Sequence, residues 1–352
     1  MPERIHRYSV FEGNNMDRTQ ADILQIIEKK ELFSSLEGSA ILVTGATGLI
    51  GSMLVKTILA AAKKYSIRIK IIGQVRNLEK ARKVYGDLFG EIEFVSDPNV
   101  ACDYIIHTVS PTTSKFFIEH PVETIKASVE SAMEILEVAK TNNATIVYLS
   151  SMEQYGVPYE YGQKMTEDKI GIIDHLNIRS SYSESKRLCE CLCASYAAEY
   201  GVNVKIARLA QTFGAGVPLS DNRMPMQFAR AVVDGKDIVL HTEGKSISNS
   251  VYLADAITGI LTILLKGVPG QAYNVCNDNE ARSVREIAEL VGRYVADGKI
   301  NVRIDKRDNM GYAPDVSMYL DSGKLRSLGW EPTISMLEGY RRLVEYLGEN
   351  ND

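Results

Sequence analysis

The stretch ILVTGATGLIGS, Ile41–Ser52, decides the fold. A short run of aliphatic residues gives way to three glycines at G-x-x-G-x-x-G spacing, and an apolar helical pattern begins at once. Glycines so placed allow a tight turn, a close approach of backbone to a pyrophosphate, and close packing of helix on strand. The helix that follows offers free N–H groups and the positive end of its dipole to an anion. Alone the trio would suit a plain turn as well; here it follows a strand, opens a helix and heads a strand–helix–strand unit, so it reads as a dinucleotide loop. Candidate cofactor contacts are Gly45, Thr47, Gly48, Leu49, Ile50 and Gly51.

Outward from this unit the pattern repeats. Strands are expected at 40–43, 70–75, 93–95, 103–109, 145–149 and 203–208, with helices at 53–64, 78–88, 122–141 and 182–200. Parallel strands need a crossover helix each, so the fold class is α/β: a Rossmann-type doubly wound parallel sheet. Beyond about residue 209 the alternation loosens into loops and shorter helices. That part reads as a smaller C-terminal α/β substrate lobe, 211–352, interleaved with a dinucleotide-binding domain at 39–210. Residues 1–38 form an N-terminal helical extension in which Asp17 is placed to cap a helix carrying Ile23, Ile26 and Ile27.

Composition excludes several classes. The 352 residues are 45% hydrophobic and 24% charged, enough apolar content for a sizeable core and too much for a disordered chain. Forty-five acidic against forty basic residues give a net charge of −5, which supplies no global field to hold a nucleic acid. The apolar stretch around Ile257–Leu265 is too short to span a bilayer, and the first fifteen residues lack the apolar core of a signal peptide. Five cysteines, three of them at 189, 191 and 193 in a helical pattern, read as small packing residues rather than a metal site or a disulfide framework. Neither a membrane nor a nucleic-acid partner is expected, no metal is implied, and the expected location is the cytoplasm.

At the end of the second strand an acidic residue normally accepts from the adenosine ribose of NAD. Here the residues are Gln74-Val75-Arg76-Asn77. Arg76 is placed to meet a 2′-phosphate or to stack on adenine, so the cofactor is NAD with NADP possible. Asp97 is a candidate acceptor for the adenine amine or a simple turn residue. Further on, Tyr182 and Lys186 lie four apart on one helical face. A tyrosine near its ordinary pKa of about 10 is a poor base at neutral pH, and a neighbouring ammonium stabilises its phenolate. Ser150 and Ser151 directly follow the strand at 145–149, and a hydroxyl there belongs at the same edge of the sheet.

In this order and spacing, GATGLIG, SSMEQYG (Ser150–Gly156) and YSESK (Tyr182–Lys186) resemble the extended short-chain dehydrogenase/reductase family of sugar-nucleotide epimerases, dehydratases and decarboxylases. The resemblance spans about residues 39–347, including LGWEP-x-x-S-x-x-EG at Leu328–Gly339. Within the family the chain looks most like UDP-glucuronate decarboxylases, through His107-Thr108-Val109-Ser110-Pro111, Arg179 and Asp221-Asn222-Arg223. The resemblance implies that Tyr182 is the base, Lys186 its electrostatic partner (both also touching the cofactor), Ser151 the third member and Glu153 a group acting at sugar C5. It implies substrate contacts from Arg179, Gln211 and Arg223, a nucleotide-sugar substrate, and a homodimer through the helices at 122–141 and 182–200. Met152 stands where dehydratases carry an acid. A thioether donates no proton, so 4,6-dehydration is disfavoured. Gln211 replaces an asparagine, and Ser248 and Tyr312 replace arginines. The expected activity is nucleotide-sugar modification through a 4-keto intermediate. An NADPH-dependent reductase of a nucleotide-linked sugar or polyol precursor is the alternative, and a non-catalytic dinucleotide-binding module is the alternative from another class.

Overall fold

The computed structural model describes residues 16–111, 114–160, 162–306 and 317–350. Seven parallel strands form its centre: β1 (Ala40–Thr44), β2 (Lys70–Gln74), β3 (Glu93–Val95), β4 (Tyr104–His107), β5 (Thr145–Ser151), β6 (Val204–Leu209) and β7 (Ala272–Val275). Their order across the sheet is β7-β6-β5-β4-β1-β2-β3. Strand order therefore reverses between β1 and β4, the switch point whose carboxyl-end crevice takes ligands in open α/β sheets.

Alternate residues of each strand enter opposite cores. Ile41, Val43, Ile71, Ile106 and Val147 join the larger one, and Leu42, Ile72, Ile105, Ile146 and Tyr148 the smaller. Burial on both faces is why these strands read as continuous apolar runs rather than as alternating ones. The larger core is covered by α1 (Arg18–Ile27), α2 (Leu49–Tyr65) and α3 (Leu78–Tyr85). The smaller is covered by α5 (Pro121–Asn142) and α6 (Ser181–Tyr200), with the short α4 (Ser114–Glu119) leading into α5.

The seventh strand has no counterpart in the sequence reading. It arrives from the late part of the chain, after α7 (Met224–Val233) and α8 (Leu253–Lys266), and pairs with β6 from Ala272↔Ile206 to Val275↔Leu209. Every residue of α8 from Leu253 to Leu264 is buried, so the longest apolar stretch is a core helix lying on the sheet. Among the described residues no helix is long and apolar enough to cross a membrane, and no cluster of His, Cys, Asp or Glu is arranged to hold a metal ion. The five cysteines are unpaired thiols, with only Cys191 exposed.

In the extension, Asp17 accepts from the Gln20 N–H at 2.7 Å and caps α1. Ile23, Ile26 and Ile27 are buried against the main domain. The carboxyl-terminal helix α9 (Met336–Glu349) lies beside α1, so both ends of the described chain meet on the larger core.

Candidate active site

The glycine loop lies at the switch point. Gly45 leaves β1 with φ +65°, and a Cβ there would fall 2.8 Å from Thr108 Oγ1. Thr108, just past β4, donates from that hydroxyl to Thr44 O at 2.7 Å and closes the floor of the crevice. A Cβ on Gly51 would lie 2.4 Å from Gly45 O, so loop and helix touch backbone to backbone. The N-cap of α2 is Gly48, which offers no side-chain acceptor, and the first turn carries no acidic residue. Such an uncapped helix start, approached by bare backbone, fits a pyrophosphate.

At the carboxyl end of β2, Gln74 O accepts from the Ala46 N–H at 3.2 Å, which ties that strand to the loop. Arg76 is exposed two residues further on, and the neighbouring Asn77 is committed to capping α3. Asp97 is exposed and accepts from the Asn99 N–H at 2.8 Å, so its carboxylate closes a local turn.

Tyr182 and Lys186 both lie in the buried face of α6, with 8% and 2% of their surface exposed. The Lys186 ammonium donates to Leu149 O at 2.8 Å and to the Tyr148 hydroxyl at 3.3 Å, and lies 5.8 Å from the centre of the Tyr182 ring. Burial pulls its pKa down to about 8, against the opposing pull of Cys189, Glu190 and Cys193. Tyr182 is pushed up to about 12, first by burial and then by the Glu153 carboxylate, while Ser151, Ser110 and Arg179 draw it down. The spacing of Tyr182 and Lys186 predicts a phenol moved towards neutrality, and in the folded chain burial has the larger influence.

The two serines at the end of β5 have different fates. Ser150 donates to Glu190 Oε1 at 2.5 Å, and Arg208 of β6 donates to both oxygens of Glu190, so Ser150 belongs to a buried structural network. Ser151 begins the 3-10 turn Met152–Tyr155 and accepts from the Glu153 N–H at 3.2 Å, which leaves its hydroxyl on the Tyr182 side. Met152 packs against the larger core. Glu153 pairs with Arg179 at 2.9 Å, and Arg179 also lies 4.9 Å over the Phe117 ring. Phe117 in turn stacks on Tyr182, with ring centres 4.3 Å apart and planes within 7°.

Tyr182, Lys186, Ser151, Glu153 and Arg179 are thus brought together at one edge of the sheet. Gln211 opens the short strand Gln211–Phe213, and Arg223 caps α7 with its guanidinium held by Asp221 at 2.8 Å. Among the described residues no hydrogen bond links either to the Tyr182 group. Ser248 lies in the short strand Ile247–Ser248, and Tyr312 lies outside the described residues. Ser110 and Phe117 join the site without having been assigned a role from sequence. Ser110 lay within the His107–Pro111 stretch, whereas nothing in the spacing around Phe117 signalled its stacking.

The sequence and the fold both have known relatives. Residues 41–276 match the NAD dependent epimerase/dehydratase family. The chain belongs to that family. A UDP-glucuronic acid decarboxylase of Arabidopsis thaliana is 30% identical over 314 residues, covering 87% of this chain and 88% of that protein. Among solved structures, the family fold recurs in the UDP-glucuronic acid 4-epimerase from Bacillus cereus in complex with NAD. Its TM-score is 0.71 at 19% identity, over 89% of this chain and all of that one. It recurs also in RMD from Pseudomonas aeruginosa complexed with NADPH, at a TM-score of 0.68 and 22% identity, over 88% and 99%. The epimerase/dehydratase fold thus accommodates either nicotinamide cofactor.

Proposed function

We propose that this protein is a nicotinamide-dependent enzyme that modifies a nucleotide-activated sugar through a transient 4-keto intermediate, ending in decarboxylation or epimerisation. The observation that carries the reading is the meeting of the buried Tyr182 phenol with Ser151, Lys186 and the Glu153–Arg179 pair beside an uncapped phosphate loop. A bound nicotinamide dinucleotide would supply hydride acceptance from the sugar and its return. Gly45, Thr47, Gly48, Leu49, Ile50 and Gly51 form its phosphate cradle, with Arg76 and Asp97 at the adenosine end.

Tyr182 removes the proton of the C4 hydroxyl as that carbon is oxidised, and gives it back when the ketone is reduced. Ser151 holds the same oxygen, and the Lys186 ammonium stabilises the phenolate. A ketone at C4 makes a C5 carboxylate a β-keto acid, which loses carbon dioxide, and it also acidifies C5–H. Glu153 is placed by Arg179 to act at C5. Arg179, Gln211 and Arg223 are the substrate contacts of this reading. Met152 has no proton to give, which supports decarboxylation or epimerisation over dehydration.

A second reading, an NADPH-dependent reductase of a nucleotide-linked sugar or polyol precursor, is favoured by one observation: Arg76 is exposed where a ribose-binding carboxylate would stand. One experiment separates the two. The purified protein is incubated with NAD and UDP-glucuronate, and products are followed by mass and chromatography. Carbon dioxide release, or an isomeric product of unchanged mass, is expected with no net change in NADH. No product from UDP-glucuronate or other UDP-sugars, together with stoichiometric NADPH consumption on a keto substrate, would replace the first reading with the second.

The assembly in this reading is a homodimer. Val122, Ile125 and Met133 on α5 and Leu188 on α6 are exposed on helices packed against each other, a face suited to a four-helix contact with a second copy. Sedimentation at micromolar concentration is expected to give twice the chain mass, and Leu188→Glu to give the monomer. The cytoplasm is the proposed location, in keeping with five unpaired thiols.

A further inference from the structure

The amino-terminal extension carries a carboxylate that the proposed chemistry does not use. Asp22 of α1 is completely buried. Its Oδ1 accepts from Arg18 Nη2 and from Arg342 Nη1 of α9, each at 2.9 Å. Its Oδ2 accepts from the Tyr252 hydroxyl at 2.6 Å. Burying a carboxylate is costly, and packed aliphatic side chains hold a helix against a core about as well. What a carboxylate adds is direction. Because the Tyr252 proton is committed to Asp22, the phenol oxygen is left to act as an acceptor, and it takes the Ala215 N–H at 3.3 Å.

Ala215 belongs to the segment Gly214–Val217 that follows Gln211–Phe213. The strand ending at Tyr252 pairs with that strand, from Ser250↔Gln211 to Tyr252↔Phe213. A second phenol, Tyr346 of α9, donates to Val217 O at 3.0 Å. Between these ties lies Gly216, where a Cβ would lie 3.9 Å from both Leu49 and Thr19. Leu49 is the first residue of α2 and Thr19 belongs to α1, so the segment is bordered by the phosphate helix and by the extension.

We propose that Asp22 is a positioning residue: acting through Tyr252, it holds Gly214–Val217 against the first turn of α2 and so sets how firmly the dinucleotide is retained. This rests on the proposed use of the glycine loop for a nicotinamide dinucleotide. The extension is then part of the binding apparatus, not an appendage.

The test uses the full chain with Tyr252→Phe and Asp22→Asn, titrated with NADH and NADPH by fluorescence, alongside amide hydrogen exchange. Tyr252→Phe keeps the ring and removes both hydrogen bonds. It is expected to weaken affinity for the preferred nucleotide about tenfold, the scale of one lost hydrogen bond. Exchange at residues 214–217 should accelerate while that of β1 is unchanged. Asp22→Asn is expected to move both quantities the same way by a smaller factor. Variants that melt earlier yet keep wild-type nucleotide affinity and wild-type exchange at 214–217 would make Asp22 a structural tie only, and overturn the proposal. Failure of the wild-type protein to bind either nucleotide would instead sink the cofactor reading, and this inference with it.

Discussion

Tyr182→Phe is expected to lower turnover about 10³-fold, the scale of a positioned general base, while leaving NADH affinity within about twofold. The change removes one oxygen from a ring that stays fixed by its stacking on Phe117, so the loss reports on the phenol rather than on a displaced side chain. Retained turnover in this variant would remove Tyr182 from the chemistry. Lys186→Met should be comparably inactive, and its stability carries a second signature. Burial lowers the Lys186 pKa from 10.5 to about 8. The folded chain thus binds that proton less tightly than the unfolded chain does, and the buried charge destabilises the fold fully below pH 8. The penalty fades as pH climbs from 8 towards 10.5. Lys186→Met is therefore expected to melt higher than the wild type at pH 7, with the gap closing above pH 8. A gap independent of pH would mean the ammonium is not buried as described.

The second large effect belongs to Gly51. An alanine Cβ there would lie 2.4 Å from Gly45 O and 3.0 Å from Thr108 Oγ1. The carbonyl is backbone and cannot rotate aside, so either α2 shifts away from the sheet or the turn at Gly45 opens. Both spoil the cradle. Gly51→Ala is expected to cost about 3 kcal/mol of stability and to reduce NADH affinity about a hundredfold. Gly90→Ala is the matched control, since a Cβ there meets nothing within 4 Å. Equal affinities for the two variants would show that the loop is not the nucleotide cradle.

What was legible in the sequence follows from how local each signal is. The glycine loop and the Tyr182–Lys186 pair are written within a few residues, because one turn and one helix face create them. The strands of the first half announce themselves because both of their faces are buried. β7 does not, since AYNV is short and its partner β6 lies far upstream. Asp22 was equally silent. An acid in an amphipathic helix reads as surface, and its partners Tyr252 and Arg342 are 230 and 320 residues away. Phe117 is similar: its stacking on Tyr182 depends on how α4 is set down beside α6, which no spacing rule records. Ser151 was separable from Ser150 only through the resemblance, and the physical reason, the claim of Glu190 on Ser150, needed coordinates.

The late arrival of β7 matters while the chain is being made. By the time Leu209 leaves the ribosome, six strands can pair, yet β6 still shows an unpaired outer edge and the bed of α8 is bare. Translation at about 5–20 residues per second leaves that edge open for several seconds before Val275 emerges to cover it. During that interval the nascent sheet is a template for pairing with other chains. The outer edge of β6 is thus completed by a segment encoded long after the glycine loop, and a chain truncated near residue 210 would lack the strand that pairs with it.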